Sequence, residues 1–188
     1  NSYQVRFHSD PKTRGILGLK VHLRTIGVLG NKHIPAAYQR ASFDQRLALL
    51  QGLMDTDGYC DTRGQCEISL TRKQLIDDVH ELVLSLGIKA TINEGQAKLN
   101  GRMIGPKWRI KFLTEHPAFR LARKLIRQKR SGFRGTHSTR YILSAEKIDP
   151  VPMQCIQVDS PNRMYLCGSA MIPTHNSDLI IGLSLTEH

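Results

Sequence analysis

The sequence lacks an apolar run long enough to cross a bilayer, and its start, Asn1-Ser2-Tyr3-Gln4, lacks the hydrophobic region of a secretory signal. Its four cysteines form no C-x-x-C pair and no zinc-ligand spacing. These absences argue against a membrane-spanning protein, a secreted disulfide scaffold and a zinc module. We therefore expect a cytoplasmic chain with free thiols and no membrane partner.

Acidic residues are scarce. The 188 residues, enough for one large or two small domains, include 16 Asp and Glu against 27 Lys and Arg, and the net charge of +11 favours a polyanionic partner such as nucleic acid. From Lys107 to Arg140 there are eleven basic residues and a single acid, Glu115. Each basic residue alone is typical of a solvated surface, but the cluster favours phosphate contact. The candidate DNA-binding residues are Arg109, Arg123, Lys124, Arg127, Arg130 and Arg134.

A helix is predicted from about Phe43 to Met54. Ser42 and Gln45 have the spacing of a capping box, and apolar residues then recur at helical spacing. Gly52 weakens a helix by roughly 1 kcal/mol relative to alanine, so its presence suggests a close approach of another backbone.

Two carboxylates, Asp55 and Asp57, follow this helix one residue apart. A helix dipole disfavours anions at its C-terminal end, so such carboxylates favour a bound cation. The plain alternative is an amphipathic helix followed by an ordinary D-x-D-G turn.

The nine residues from Leu50 to Gly58, LQGLMDTDG, resemble the signature of the LAGLIDADG homing endonucleases. In that family two such helices pack face to face, and the last acidic residue of each helix holds a divalent metal over one DNA strand. The resemblance implies that Asp57 is a catalytic metal ligand, Asp55 its supporting neighbour and the Gly58 carbonyl a further ligand. It also implies Mg²⁺, or another divalent cation, and hydrolysis of a phosphodiester in double-stranded DNA by metal-activated water.

The rest of the first 132 residues predicts an α+β fold with the order helix, hairpin, helix, hairpin, helix and an antiparallel DNA-binding sheet. The predicted elements are a loop over 31–40, a hairpin over 59–70 turning at Arg63-Gly64, a helix capped by Thr71 and closed by Gly87, a hairpin turning at Asn100-Gly101, and a helix over 117–129.

Alternation along the last strand places Lys107, Arg109 and Lys111 on one face and apolar residues on the other. A basic row on an antiparallel sheet suits the major groove of DNA. The resembled family also uses a basic residue near its metals, and Lys107 and Lys111 are both candidates for that catalytic place. His116 and His137 are interpreted as surface or packing histidines.

A weak internal repeat is present. The strand at 3–7 and the helix closed by Gly27 match the pattern of Trp108 to Phe112 and the helix after Pro117. A chance match is the alternative. The repeat would make 1–30 the end of a first endonuclease repeat and 31–132 a second one, so we expect a first acidic helix to be missing. Single-motif members of the resembled family reach the same symmetry as homodimers.

A polar, glycine-bearing boundary at 131–136 precedes a second type of segment. Strands are predicted at 140–148, 154–159 and 164–167, and Thr174-His175-Asn176-Ser177 follows. The combination resembles the C-terminal splicing blocks of an intein, which implies a small all-β Hint segment at 138–176 and the start of the downstream extein at 177–188. Taken plainly, the segment is a small β unit with turns.

The resemblance assigns chemistry to the junction. The Asn176 amide would attack its own following carbonyl and form a succinimide, His175 would move the protons, and Ser177 would accept the acyl group. Cys155 stands where many inteins carry an aspartate, and one intein class combines a cysteine there with a threonine placed as Thr174 is. Cys155 could instead assist, or pack as a small buried thiol. Splicing itself needs no cofactor.

These patterns predict an intein fragment from a bacterial or phage-infected cell, in which a site-specific homing endonuclease precedes a splice junction. Its partners would be double-stranded DNA and the missing N-terminal half of the same intein, so that alone it neither cuts DNA efficiently nor splices. The predicted host is a P-loop ATPase such as a phage terminase large subunit. The alternatives are a non-catalytic DNA-binding regulator on the same scaffold and a P-loop ATPase fragment carrying the insertion.

Overall fold

The structure, a computed structural model, describes residues 19–137, 139–144, 146–147, 149–152, 154 and 156–175. The predicted strand at 3–7, Cys155 and the pair Asn176-Ser177 lie outside these residues. No helix in the described ranges has the length and apolar character needed to span a bilayer.

The described elements alternate helices with antiparallel hairpins. In chain order they are α1 (Leu19–Thr25), α2 (Ala36–Gln39), α3 (Phe43–Thr56), β1 (Gly58–Cys60), β2 (Cys66–Leu70), α4 (Lys73–Ser85), β3 (Ala90–Leu99), β4 (Arg102–Phe112), α5 (Ala122–Leu125), a 3-10 turn (Gly135–His137), β5 (Met164–Cys167) and β6 (Ile172–His175).

The first four strands form one sheet in the order β1-β2-β4-β3, with every neighbour antiparallel. The predicted combination of helices with an antiparallel sheet is therefore confirmed. The predicted hairpin turns are confirmed as well: Gly64, Asn100 and Gly101 have φ values of 81°, 50° and 80°. Positive φ at both central residues is what a two-residue hairpin requires, and Asn-Gly adopts it at little cost.

The core lies between one face of this sheet and the helices α3 and α4. All three contribute fully buried side chains, and the segment after β4 adds Phe119. These side chains are Leu50, Met54, Cys66, Ile68, Ile76, Val79, Leu82, Val83, Ile110, Phe112 and Phe119. The helix α4 ends at Ser85, and Gly87 follows its C-cap Leu86 with φ of 76°, as expected of the predicted stop. Its predicted cap, Thr71, is wrong, because the N-cap is the extended residue Arg72, which has no side-chain capping bond.

The helix α3 begins as predicted, with Ser42 Oγ accepting from Gln45 N (3.4 Å) and Ser42 N donating to Gln45 Oε1 (3.1 Å). It ends later than predicted, at Thr56, so that Asp55 lies in its last turn and Asp57 is its C-cap.

The predicted loop over 31–40 is wrong in part, because it contains the single helical turn α2. Contacts with α4 hold this turn in place: Asp78 Oδ2 accepts from Ile34 N and Asp78 O accepts from Gln39 Nε2, both at 2.8 Å. Local sequence could not indicate these bonds, because their partners lie about forty positions apart.

The predicted helix over 117–129 is also wrong. Only Ala122–Leu125 is helical. The backbone amides before this turn donate to side chains instead. Gln128 Oε1 accepts from Ala118 N, and the Asp55 carboxylate accepts from the amides of Arg120 and Leu121. In a continuous helix the amide of Leu121 would instead donate to the carbonyl of Pro117, which here accepts from Gln51 Nε2.

Beyond residue 137, the only paired strands among the described residues are β5 and β6, an antiparallel hairpin. The strands predicted at 140–148 and 154–159 are wrong, since none of their described residues lies in a strand. Alternation alone does not supply a pairing partner, and the side chains of Ile142 and Leu143 are 90% and 96% exposed. The Hint segment is therefore not confirmed.

Candidate nucleic-acid interface and metal site

The open face of the sheet carries polar side chains in register across its strands. One row is Tyr59, Glu67, Lys111 and Thr91, and the next is Ser69, Arg109 and Asn93. The predicted alternation is confirmed, because Ile110 and Phe112 are buried on the opposite face. Lys107, Arg109 and Lys111 line a groove of about 230 Å³ together with Asn93, Glu94 and Gly95.

One carboxylate partly offsets this basic row. Glu67 Oε1 lies 2.8 Å from Arg109 Nε, and Glu67 Oε2 lies 3.6 Å from Lys111 Nζ. Arg109 Nε also donates to Ser69 Oγ at 3.3 Å. Both contacts are made by the Nε of Arg109, and they restrict the orientation of its guanidinium.

The two acidic residues at the foot of α3 have different surroundings. The Asp55 carboxylate accepts from Arg120 N and from Leu121 N, both at 3.1 Å. Asp57 is exposed, and the contact described for its carboxylate is one from Thr56 Oγ1 at 3.5 Å. The chain leads from Asp57 directly into the edge strand β1. Asp55 therefore holds a loop, and Asp57 is the carboxylate open to a cation.

Lys124 lies at the same foot. Its Nζ donates to the carbonyl oxygens of Met54 (2.9 Å), Asp55 (2.8 Å) and Gly58 (2.7 Å). A cation is favourable at a helix C-terminus, where carbonyls lack intrahelical partners. The sequence pattern predicts Lys124 as a DNA contact and places the basic residue near the metals at Lys107 or Lys111. A bond between residues nearly seventy positions apart leaves no local signal.

The residues present fit a divalent ion only in part. The Asp57 carboxylate is a hard, exposed oxygen ligand of the kind that Mg²⁺ prefers. The Gly58 carbonyl fits poorly while the Lys124 ammonium holds it, since two cations would then share one oxygen. Among the described residues, no three His, Cys, Asp or Glu side chains converge as a metal site would require.

A profile of the LAGLIDADG-like domain matches residues 44–147, more than half of the sequence. The chain belongs to the LAGLIDADG-like family. Domains of this family are of the homing endonuclease type; they bind DNA and generally use divalent metal ions. The interpretation of LQGLMDTDG is thereby confirmed at the level of the family.

Two curated relatives are similar to this chain, and both bear the name replicative DNA helicase DnaB. The protein of Mycobacterium intracellulare is 40% identical over 163 residues, which cover 86% of this chain and 28% of that protein. The protein of Mycobacterium leprae (strain TN) is 44% identical over 36 residues, covering 19% of this chain and 6% of that protein. The chain thus spans little more than a quarter of the first relative. Neither name supports the predicted terminase host.

The LAGLIDADG-like helix α3 leaves one face open. Gly52 is exposed, and a Cβ added there would meet no heavy atom within 4 Å. The expected close approach of another backbone is therefore not found within the described part of the chain. Beside this helix an apolar groove of about 640 Å³ opens, with Leu49, Leu53 and Asp57 among its lining residues.

Outside the sheet, the remaining candidate DNA-binding residues lie on and after α5. Arg123, Arg127 and Arg134 are exposed, and Arg130 Nε donates to Glu115 O at 3.2 Å.

Burial raises the pKa of both the Cys60 and the Cys66 thiol, and these two cysteines are free and face each other across β1 and β2. They are packing residues beneath the sheet.

Two of the candidate splicing residues are described. Thr174 pairs with Tyr165, and the exposed His175 pairs with Met164, in the hairpin β5–β6. Cys155, Asn176 and Ser177 lie outside the described residues, so their splicing roles stay predictions.

Proposed function

We propose that this chain is the C-terminal part of an intein whose endonuclease belongs to the LAGLIDADG type, and that the intein interrupts a replicative DNA helicase of the DnaB kind. Membership of the LAGLIDADG-like family and the names of both relatives support this host over a terminase. The described helix, hairpins and sheet at 36–112 form the endonuclease half, and the segment ending at Asn176 is its splice junction.

The observation that carries the endonuclease proposal is the position of Asp57. It is exposed at the foot of the motif helix, directly before the edge strand of a sheet whose open face bears Lys107, Arg109 and Lys111. Duplex DNA on that face would place its backbone across the strands, and a basic row neutralises phosphates while it orients the groove.

The chain's own residues then divide the work. Asp57 would hold a divalent cation, which when bound supplies an activated water for phosphodiester hydrolysis. Asp55 is a positioning residue, because its carboxylate fixes the loop at 120–121. Lys124 is a further candidate for the basic residue near the scissile phosphate, ahead of Lys111, whose ammonium is paired with Glu67.

One exposed carboxylate would hold a metal ion over one DNA strand. We therefore propose that cutting both DNA strands requires a second acidic helix packed against the open face of α3. The exposed Gly52 supports this arrangement, because a small residue lets two helix backbones approach closely. Either a second copy of the chain or another part of the same intein would supply that helix.

The test is cleavage of duplex DNA that encodes the host region without the insertion, in Mg²⁺. We expect little cutting at low protein concentration and a steep rise with concentration if copies pair. Asp57→Asn is expected to lower the rate at least 100-fold, because the proposed ligand is lost, while DNA binding persists. The matched control Asp44→Asn, which removes an exposed acid from the first turn of the same helix, should cut as the wild type does.

A non-catalytic DNA-binding regulator is the second candidate, and the Lys124 ammonium on the Gly58 carbonyl favours it. The regulator hypothesis predicts sequence-specific DNA binding with no cutting at any protein or metal concentration. It also predicts that Asp57→Asn and the wild type do not differ in the cleavage assay.

A further inference from the structure

A second concave surface lies at one end of the sheet, where β3 starts and β4 ends. It encloses about 360 Å³ between the sheet and the segment 129–137. We call it the end pocket. Most of its lining side chains are basic or aromatic, and no Asp or Glu of the described residues lines it. Its lining residues include Lys111, Lys129, Phe133, Arg134 and His137.

Tertiary contacts build the wall of the end pocket. The rings of Phe133 and His137 stack with centroids 4.2 Å apart, and His137 Nε2 donates to Leu113 O at 3.0 Å. Lys129 N donates to Gly64 O at 3.1 Å, and Lys129 Nζ lies 5.9 Å from the centre of the Phe133 ring. Lys129 and Arg134 therefore belong to a wall that is anchored to Gly64 in the first hairpin and to Leu113 just after the second.

The positive charge of the end pocket is only partly offset. Glu67 Oε2 lies 3.6 Å from Lys111 Nζ, but the same carboxylate is shared with Arg109. Lys111, Lys129 and Arg134 surround one concavity and raise its positive potential, so the pocket complements an oxygen-rich anion.

The end pocket is continuous with the basic groove, because Lys111 lines both. A duplex on the open face would carry its backbone past this end of the sheet. We propose that the end pocket binds a phosphate group, and that in the DNA complex this group is a backbone phosphate of the duplex on the sheet. The DNA source of the phosphate rests on the proposed function; the phosphate site does not.

The DNA arm of the test measures how binding of a mixed-sequence duplex depends on NaCl. Each phosphate contact contributes close to one to the slope of log K against log salt. The double variant Lys129→Met, Arg134→Met is expected to make the slope less steep by about 2. The charge-matched control Lys20→Met, Arg24→Met on α1 should keep the wild-type slope. A pocket variant with the wild-type slope overturns the assignment to a DNA phosphate.

The phosphate arm measures the melting temperature of each protein in sodium phosphate and in NaCl at equal ionic strength and pH. Binding to the folded state raises the melting temperature. Phosphate also stabilises proteins in general, so the control variant sets the baseline. We expect a larger shift in the wild type and control than in the pocket variant. If the pocket variant shows a smaller shift in melting temperature but the wild-type salt slope, the pocket binds free phosphate and not a DNA phosphate. If the pocket variant shows the same shift and the same slope as the wild type, the phosphate site is overturned. Failure of the wild type to bind DNA contradicts the proposed function, while the phosphate arm still decides the pocket.

Discussion

At the scale of single residues, the two glycines of the motif differ in what an added side chain would meet. A Cβ at Gly58 would lie 2.6 Å from both Cα and O of Met54, closer than packed atoms tolerate. We predict that Gly58→Ala lowers the free energy of unfolding by about 1–3 kcal/mol, because the start of β1 must move away from α3. Urea unfolding of the isolated chain measures this.

Gly52 is the matched control for that substitution. A Cβ there meets nothing within 4 Å, and alanine favours the helix by about 1 kcal/mol over glycine. Gly52→Ala should therefore leave the isolated chain as stable as the wild type or more so. An equal loss of stability in both variants would show that helix propensity or the unfolded state, not the contact with Met54, governs the Gly58 position.

At the scale of elements, α3 and α5 hold each other by reciprocal bonds. The Asp55 carboxylate accepts hydrogen bonds from two amides just before α5. Lys124 of α5 donates to the last carbonyls of α3, and Gln51 Nε2 donates to Pro117 O at 2.8 Å. We predict that Lys124→Met lowers the free energy of unfolding by about 2 kcal/mol, because three partly buried carbonyls lose a charged donor. Arg123→Met, on the exposed side of the same helix, should stay within about 0.5 kcal/mol of the wild type.

Hydrogen exchange separates this contact from a general loss of stability. Asp55→Asn should speed exchange at the amides of Arg120 and Leu121 more than at the core amides of β4, because the ionised acceptor is lost at that loop alone. Uniform acceleration over the whole chain would contradict a local role for Asp55.

Which elements were predictable follows from the range of the interactions that form them. The capping box of Ser42 and Gln45 and the turn at Asn100-Gly101 depend on neighbours in sequence, and both are confirmed. The helix predicted over 117–129 is broken by Asp55, which lies some 65 positions away. In the site, alternation along the sequence predicted the basic row of β4. The position of Lys124 at the end of α3 depends on a long-range contact between α5 and α3, which the sequence pattern does not indicate.

At the scale of the whole molecule, the hydrophobic core is built from residues before position 126, and none of the described residues beyond 137 belongs to it. The core lies between one face of the four-stranded sheet and the helices α3 and α4. The side chains of Ile142 and Leu143, in contrast, are exposed to solvent. Exposed apolar side chains of this kind mark a surface that another segment covers. Under the proposed function that segment is the upstream half of the same intein, and the tail should gain its chemistry only when it is present.

The corresponding prediction concerns the bond between Asn176 and Ser177. When the chain is expressed together with its upstream coding sequence, mass spectrometry should find a product cleaved after Asn176, because the completed fold would bring an imidazole to the asparagine amide. Asn176→Ala should abolish that product, and His175→Ala should slow it. Asp57→Asn should leave it unchanged, since a carboxylate at the foot of α3 has no part in succinimide formation. Loss of the product in Asp57→Asn would mean that the two chemistries share one folded unit, in contradiction to the division proposed here between the sheet and the tail.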